Sequence, residues 1–460
     1  MSSSEDGMST KKAKKMVDKK STIKSGHIAD KQFVMRNSVL TDLFDNDPHI
    51  RTVHHIFVAI SICFGLHTMA HDYFMKNELH SGFTLIFSGF AKFHMVLRSW
   101  VELMLINCLG YAFFVIWAKT RTYYFNREFQ KLWDIIWLLT YIGYLIISYK
   151  RAEFFVNTFQ LPPPSACIIL LEQARLSMKL HSFIRTTAVT VYNYKSYTEK
   201  NLLLPTFTQY LYFLFAPTCI FRTDYPRTGR IRWKYIFFWF IEILCVIACV
   251  SFIFHRYFIS AYEDFGIRRF SWKELIVSFL EHLLPAMMVY LSGFYLLFHS
   301  FQNIFAELLR FGDRHFYGDW WNCGKFSEYF QTWNVIVHDW LYIYLYKDMY
   351  EHVVRNKSVA KLTTFLVSGI VHEWALMNMF GYFFPAIFVF FMAFVMMSIF
   401  LKIPNASLVN TLFWLSLPLG CSLLISGYTL EFFARKNTSG SDDSLKNFFL
   451  PRWLTCDCIE

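Results

Sequence analysis

LTTFLVSGIVHEWALMNMFGYFF, residues 362–384, is apolar enough to lie in a bilayer yet carries His372 and Glu373 at its centre. About 20 apolar residues cross a hydrocarbon core. Ionisable groups at that depth are costly unless they face a cavity or a partner, so their presence marks a functional site by default. A neutral imidazole is the ordinary general base near pH 7, which makes His372 the first candidate for chemistry. A structural histidine bonded across a helix interface is the competing reading. Ser368 lies one turn earlier on the same face.

Working outward, the rest of the chain agrees on the solvent. Of its 460 residues 55% are hydrophobic and 17% charged, mean hydropathy is +0.31, and a water-soluble globule is excluded. Apolar runs near 53–74, 132–149, 235–259, 274–299, 362–384, 385–401 and 410–430 are candidate spans. The stretch 82–118 holds Lys92, His94, Arg98 and Glu102 in its first half, and reads as an in-plane segment plus one span, or as two tilted spans. PTFTQYLYFLFAPTCIF (205–221) is short and Pro-bounded, as expected of a re-entrant or interfacial piece. Eight to ten spans is the expected range. Aromatics reach 20%, suiting interfacial belts and wide apolar cavities.

The net charge of +11 lies beside the membrane rather than forming a nucleic-acid surface. Residues 1–36 carry nine Lys or Arg against four Asp or Glu, and loop 222–234 adds Arg222, Arg227, Arg230, Arg232 and Lys234. Both read as cytosolic flanks. Residues 1–45 are expected to be a disordered basic cytosolic tail and 46–458 the membrane-embedded domain. No cleavable signal peptide precedes the first apolar run. Ten cysteines form no framework, most behaving as small hydrophobes, with Cys456 and Cys458 alone as redox candidates.

Two polar, aromatic segments interrupt the spans. In 150–204, LEQARLSMKLHSFIR brings Arg175, Lys179 and Ser182 to one face, as in an amphipathic helix on the membrane surface. In 302–361, TWNVIVHDWLYIYLYKD stacks Asn334, His338, Tyr342 and Tyr346 at intervals of four, a polar stripe suited to a narrow channel, an extended ligand or a solvated helix face. RFGDRHFYGDWWN adds paired Trp after Gly318, a pattern also common in membrane anchoring. His67, His71 and Asp72 match acyltransferase and di-iron spacings, but a di-iron centre lacks converging histidines, so no metal is expected. No GxSxG elbow is present. The absence of an internal repeat weakens a transporter, which remains the non-enzyme alternative with His372 as a proton relay.

FYGDWWN (316–322), YLYFLFAPT (210–218), LEQARLSMKLHSFIR, TWNVIVHDW and SGIVHEW resemble the sterol O-acyltransferases of the membrane-bound O-acyltransferase superfamily, over roughly residues 40–458. Phe316, Tyr317, Asp319, Trp320, Trp321 and Asn322 form the superfamily motif. His338-Asp339-Trp340 with Leu341-Tyr342-Ile343-Tyr344, and Tyr346-Lys347-Asp348, look like the sterol branch rather than the diacylglycerol branch. The resemblance implies an all-α fold of about nine transmembrane helices around a reaction chamber. It also implies His372 as catalytic base assisted by Asn334, acyl-CoA contacts from His338, Tyr346, Lys357 and Ser368, and a sterol contact from His55. Gln331 and Glu328 depart from the family's Arg and Asn. The implied activity is acyl-CoA:sterol esterification in the endoplasmic reticulum membrane by a homo-oligomer, with acyl-CoA as co-substrate and no cofactor. A diacylglycerol or long-chain alcohol acyltransferase is the alternative within the enzymes.

Overall fold

In the computed structural model, residues 31–77, 81–123, 127–194, 202–400, 403–439 and 444–460 are described. The described chain is all-α, with only isolated β-bridges between its helices. The compact unit runs Phe33–Glu460, so residues 33–45, given to the tail by sequence, belong to it. Arg36 pairs with Asp313 at 2.6 Å, and its backbone bonds Gly312 and Arg314. Val39–Asn46 is helical. Residues 1–30 lie outside the described residues.

Among the described residues six helical stretches are long and apolar enough to cross a membrane: Pro48–Met75, Gly82–Tyr123, Glu128–Phe159, Trp233–Tyr262, Leu283–Leu308 and Ala406–Asn437. The helix Lys357–Phe380, holding the sequence quoted above, is long enough but too polar for the same measure, and Ala386–Met397 is too short. Exposed apolar rows such as Ile135, Leu139, Ile142 and Ile146 on one helix face suit contact with lipid tails.

Local sequence sets where these helices begin and end. Asp47 accepts from the His49 amide with Pro48 at the first helical position, and Asn77 ends that helix in the left-handed conformation. Thr206 with Gln209, and Ser271 with Glu274, form capping boxes. The second capping box starts a separate helix, Trp272–Glu281, so the span expected from 274 begins instead at Leu283. The polar first half of 82–118 is divided, with the short helix Ser81–Gly89 preceding the long helix Phe93–Tyr123. After a break at 90–92, Lys92 Nζ donates to Phe159 O at 2.8 Å, capping the C-terminus of the Arg127–Phe159 helix, and Arg151 pairs with Glu102 at 2.6 Å.

The largest correction concerns Pro163–Asn193. It is not a surface helix: Lys179 and Ser182 are wholly buried, because the helix packs between Phe93–Tyr123, Arg127–Phe159 and Lys357–Phe380. Its polar face points inward. Lys179 Nζ donates to the carbonyls of Phe213 and Ala216, both at 2.6 Å, and Arg175 to Leu214 O at 2.6 Å while paired with Glu172. These bonds satisfy the C-terminal carbonyls of the short helix Phe207–Phe215, the segment read as re-entrant, and hold it inside the protein. Gly110 lets the neighbouring helix approach; a Cβ there would lie 2.7 Å from Leu180 Cδ2.

Cys456 and Cys458 are joined as a disulfide rather than serving as free packing thiols.

Candidate active site

His372 occupies the fifth turn of the Lys357–Phe380 helix, which Asn356 caps by accepting from the Ser358 and Val359 amides. Its Nδ1 lies 2.7 Å from the Ser368 carbonyl oxygen. A carbonyl can only accept, so Nδ1 carries the proton and Nε2 keeps its lone pair. The ring stacks on Phe391 at 5.8 Å and is otherwise exposed on the isolated chain. One nitrogen is therefore fixed and the other presented. By helical geometry Lys357, Ser368 and His372 fall within one side of this helix, with Lys357 about 22 Å away along the axis.

Asn334 caps the next element of the site, Val335–Leu341, its Oδ1 accepting from the Val337 amide at 3.2 Å. The amide NH2 is the end that the cap does not use. Two backbone bonds bracket this residue: Gly318 N to Thr332 O at 2.7 Å, and Val335 N to Phe316 O at 2.9 Å. FYGDWWN thus builds the platform on which Asn334 sits. Phe316, Tyr317 and Trp320 are buried, Trp320 edge-on to Phe294 and Trp333 and tilted against Trp414, and Trp321 O accepts from Asn410 and Trp414. That burial replaces the membrane-anchor reading of the paired Trp. Asp319 and Asn322 are exposed.

The two elements share an aromatic wall. Phe330, one turn before Asn334, meets Phe365 at 5.1 Å and Phe391 at 5.6 Å, and Phe391 also meets His372. Among the described residues Asn334 and His372 have no direct hydrogen bond; Phe391 lies between His372 and Phe330. Beyond Asn334 the expected stripe is present. His338, Tyr342, Tyr346 and Tyr350 stack successively at 6.2, 5.5 and 6.3 Å, and this segment packs against the His372 helix. Tyr350 was missed by sequence reading, although the spacing of four continues through it.

His55 is not part of this group. It is exposed on the Pro48–Lys76 helix beside His54, whose ring stacks on Tyr295. Glu328 has a local task, accepting from the Gly324 amide at 2.8 Å, and Gln331 is exposed. Among the described residues no three His, Cys, Asp or Glu side chains gather as metal ligands. Glu373 is buried with neither carboxyl oxygen hydrogen-bonded. A cavity of about 140 Å3 lies elsewhere, between the helices at Gly110, Trp137, Tyr141 and Ala188.

The segments that carry Asn334, His372 and the aromatic stripe lie inside the part of the chain that a family comparison matches. The sequence model of the membrane-bound O-acyltransferase family matches residues 123–430. The chain belongs to that family. It is similar to sterol O-acyltransferase 1 of Mus musculus, 37% identical over 93% of this chain and 79% of that one. Sterol O-acyltransferase 2 of Mus musculus is 33% identical over 93% of this chain and 81% of its own length. The Homo sapiens sterol O-acyltransferase 2 is also 33% identical, over 93% and 80%. As a member of the membrane-bound O-acyltransferase family with several helices long and apolar enough to cross a bilayer, the protein is a multi-pass membrane protein.

Proposed function

We propose that the protein is a fatty acyl-CoA:sterol O-acyltransferase of the endoplasmic reticulum membrane. The observation that carries the reading is the 2.7 Å contact of His372 Nδ1 with Ser368 O, which assigns the proton to Nδ1 and leaves Nε2 to act as base. A sterol diffusing from the bilayer presents its hydroxyl to Nε2. The imidazole takes the proton as the oxygen attacks the thioester carbonyl, forming a tetrahedral intermediate. The carbon–sulfur bond then breaks, the thiolate regains the proton from the imidazolium, and steryl ester departs into lipid.

The Asn334 amide supplies a donor to the carbonyl oxygen as it gains charge. One such donor in a dry site is worth about 3 kcal/mol of barrier. Acyl-CoA lies along the stripe of His338, Tyr342 and Tyr346, with Ser368 near the thioester and Lys357, exposed at the helix start, toward its phosphates. His55, on a lipid-facing helix, is a sterol contact outside the reaction centre. The sterol acceptor is supported by the relatives' names and by the sterol-branch residues around His338.

The test is esterification by purified protein of radiolabelled oleoyl-CoA with sterol, diacylglycerol or long-chain alcohol supplied separately. Steryl ester as the dominant product supports the reading. Preference for either other acceptor reassigns the substrate, and transport with no ester product removes the enzyme.

A further inference from the structure

Between Val335 and Val353 the main chain changes its winding. Val335–Leu341 is α-helical, while Tyr342–Tyr346 and Met349–Val353 are π-helical. Lys347 N donates to Tyr342 O, and Val354 N to Met349 O at 2.8 Å, each spanning five residues. Such wide turns are rare, usually occur singly and concentrate at functional sites. Here they have a geometric result. In an α-helix every fourth residue overshoots a full turn by about 40°, so a row at that spacing drifts around the axis. Wider turns take the drift back. The four rings from His338 to Tyr350 accordingly form one straight stack, with successive interplanar angles of 12°, 11° and 5°.

The opposite side of this helix is held at two points by the inward polar face of Pro163–Asn193. Tyr344, in the middle of the first wide stretch, accepts from Ser182 Oγ at 2.9 Å and bonds Thr186 Oγ1 at 2.9 Å. Ser182 Oγ in turn accepts from the Phe221 amide at 2.7 Å, so that its one proton is directed to Tyr344. Asp348 stands at the junction of the two wide stretches. Arg185 grips it with both limbs of the guanidinium, Nε to Oδ2 at 2.8 Å and Nη2 to Oδ1 at 2.9 Å. A fork of this kind fixes orientation as well as distance. Residues 344 and 348 are offset by two from 342, 346 and 350, which places them on the far side of the helix.

We propose that Arg185 and Asp348 are positioning residues for acyl-CoA: their bidentate pair, backed by Ser182–Tyr344, sets the rotation of the wide-wound helix and so directs the ring stack toward the thioester's path. The proposal rests on reading that stack as the acyl-CoA path. Because the pair is partly exposed, its share of global stability is small. Its effect is on the direction of the rings, hence on acyl-CoA affinity more than on the chemical step.

The experiment measures kcat, KM for oleoyl-CoA and KM for sterol, with equilibrium binding of radiolabelled oleoyl-CoA, on the purified full-length protein. Arg185→Lys keeps the charge and loses the fork; Asp348→Asn keeps the shape and loses the charge. Each raises KM and Kd for oleoyl-CoA about tenfold, with kcat and sterol KM within about threefold of the parent, the scale expected of a misdirected binding surface. The double variant Arg185→Asp with Asp348→Arg restores much of the affinity lost by either reversal alone. Unchanged KM and Kd in both conservative variants overturns the proposal, as does a fall in kcat alone. Should the reversed pair fail to fold, the two conservative variants decide. Parent protein that binds no oleoyl-CoA overturns the acyl-CoA reading itself, and this proposal with it.

Discussion

In the helix Pro163–Asn193, Glu172, Arg175, Lys179, Ser182 and Arg185 all end on protein partners; in the helix Lys357–Phe380, His372 ends on a partner at one nitrogen only. Both helices lie against each other inside the same apolar surroundings and both bear polar groups at helical spacing. The difference teaches that burial of a polar side chain is not itself the sign of a site. Lys179, with two carbonyls closing on its ammonium, is scaffold. His372, bonded at Nδ1 and open at Nε2, is the group the proposed chemistry uses.

That contrast breaks first at His372. His372→Ala is expected to lower steryl ester synthesis by at least about 10³-fold, the scale of a lost general base, with the protein still folded and inserted. Product formation by the purified variant is the measurement, and normal turnover ends the mechanism. Asn334→Asp sharpens the line between scaffold and reagent within one residue. Asp keeps the helix cap but has no NH2 to donate, so kcat falls about 10²-fold while thermal unfolding is unchanged and oleoyl-CoA binding is retained. Lost affinity at an unchanged rate would assign Asn334 to binding alone.

On the scaffold side the effects move to stability. Lys179→Met leaves the Phe213 and Ala216 carbonyls without a donor, costing about 2 kcal/mol in unfolding, with kcat of the folded fraction close to the parent. Lost turnover at unchanged stability would place Lys179 among the reagents. The smallest effect is expected at Gly318. A Cβ there would lie 3.0 Å from Thr332 Cγ2, so Gly318→Ala strains the platform by about 1 kcal/mol. Because Asn334 shifts with it, kcat falls a few-fold; an unchanged kcat would separate platform from donor.

Much of this was legible in the chain. Hydropathy marked the apolar helices, and an imidazole in the middle of 362–384 marked the candidate centre. The same spacing rule that found the face of Arg175, Lys179 and Ser182 misassigned it, because amphipathicity defines a polar face but not what covers it. The carbonyls that cover it come from 213–216, which nothing local in 163–193 announces. The paired Trp of FYGDWWN failed for a similar reason: a membrane belt and a packed platform use the same residues, and the bonds at Gly318 and Val335 that decide between them are main-chain. Continuation of the stripe through Tyr350 was readable by counting. The wide turns that straighten it leave no mark in residue type.

Those turns carry a consequence for how this segment can vary over evolutionary time. Each residue in an ordinary helix advances the chain by about 100°. Loss of a single codon between 342 and 353 would let one wide turn relax to the common winding and swing Tyr350 off the line begun by His338. Length there is as constrained as the rings themselves, so natural variants should show gaps only outside the segment.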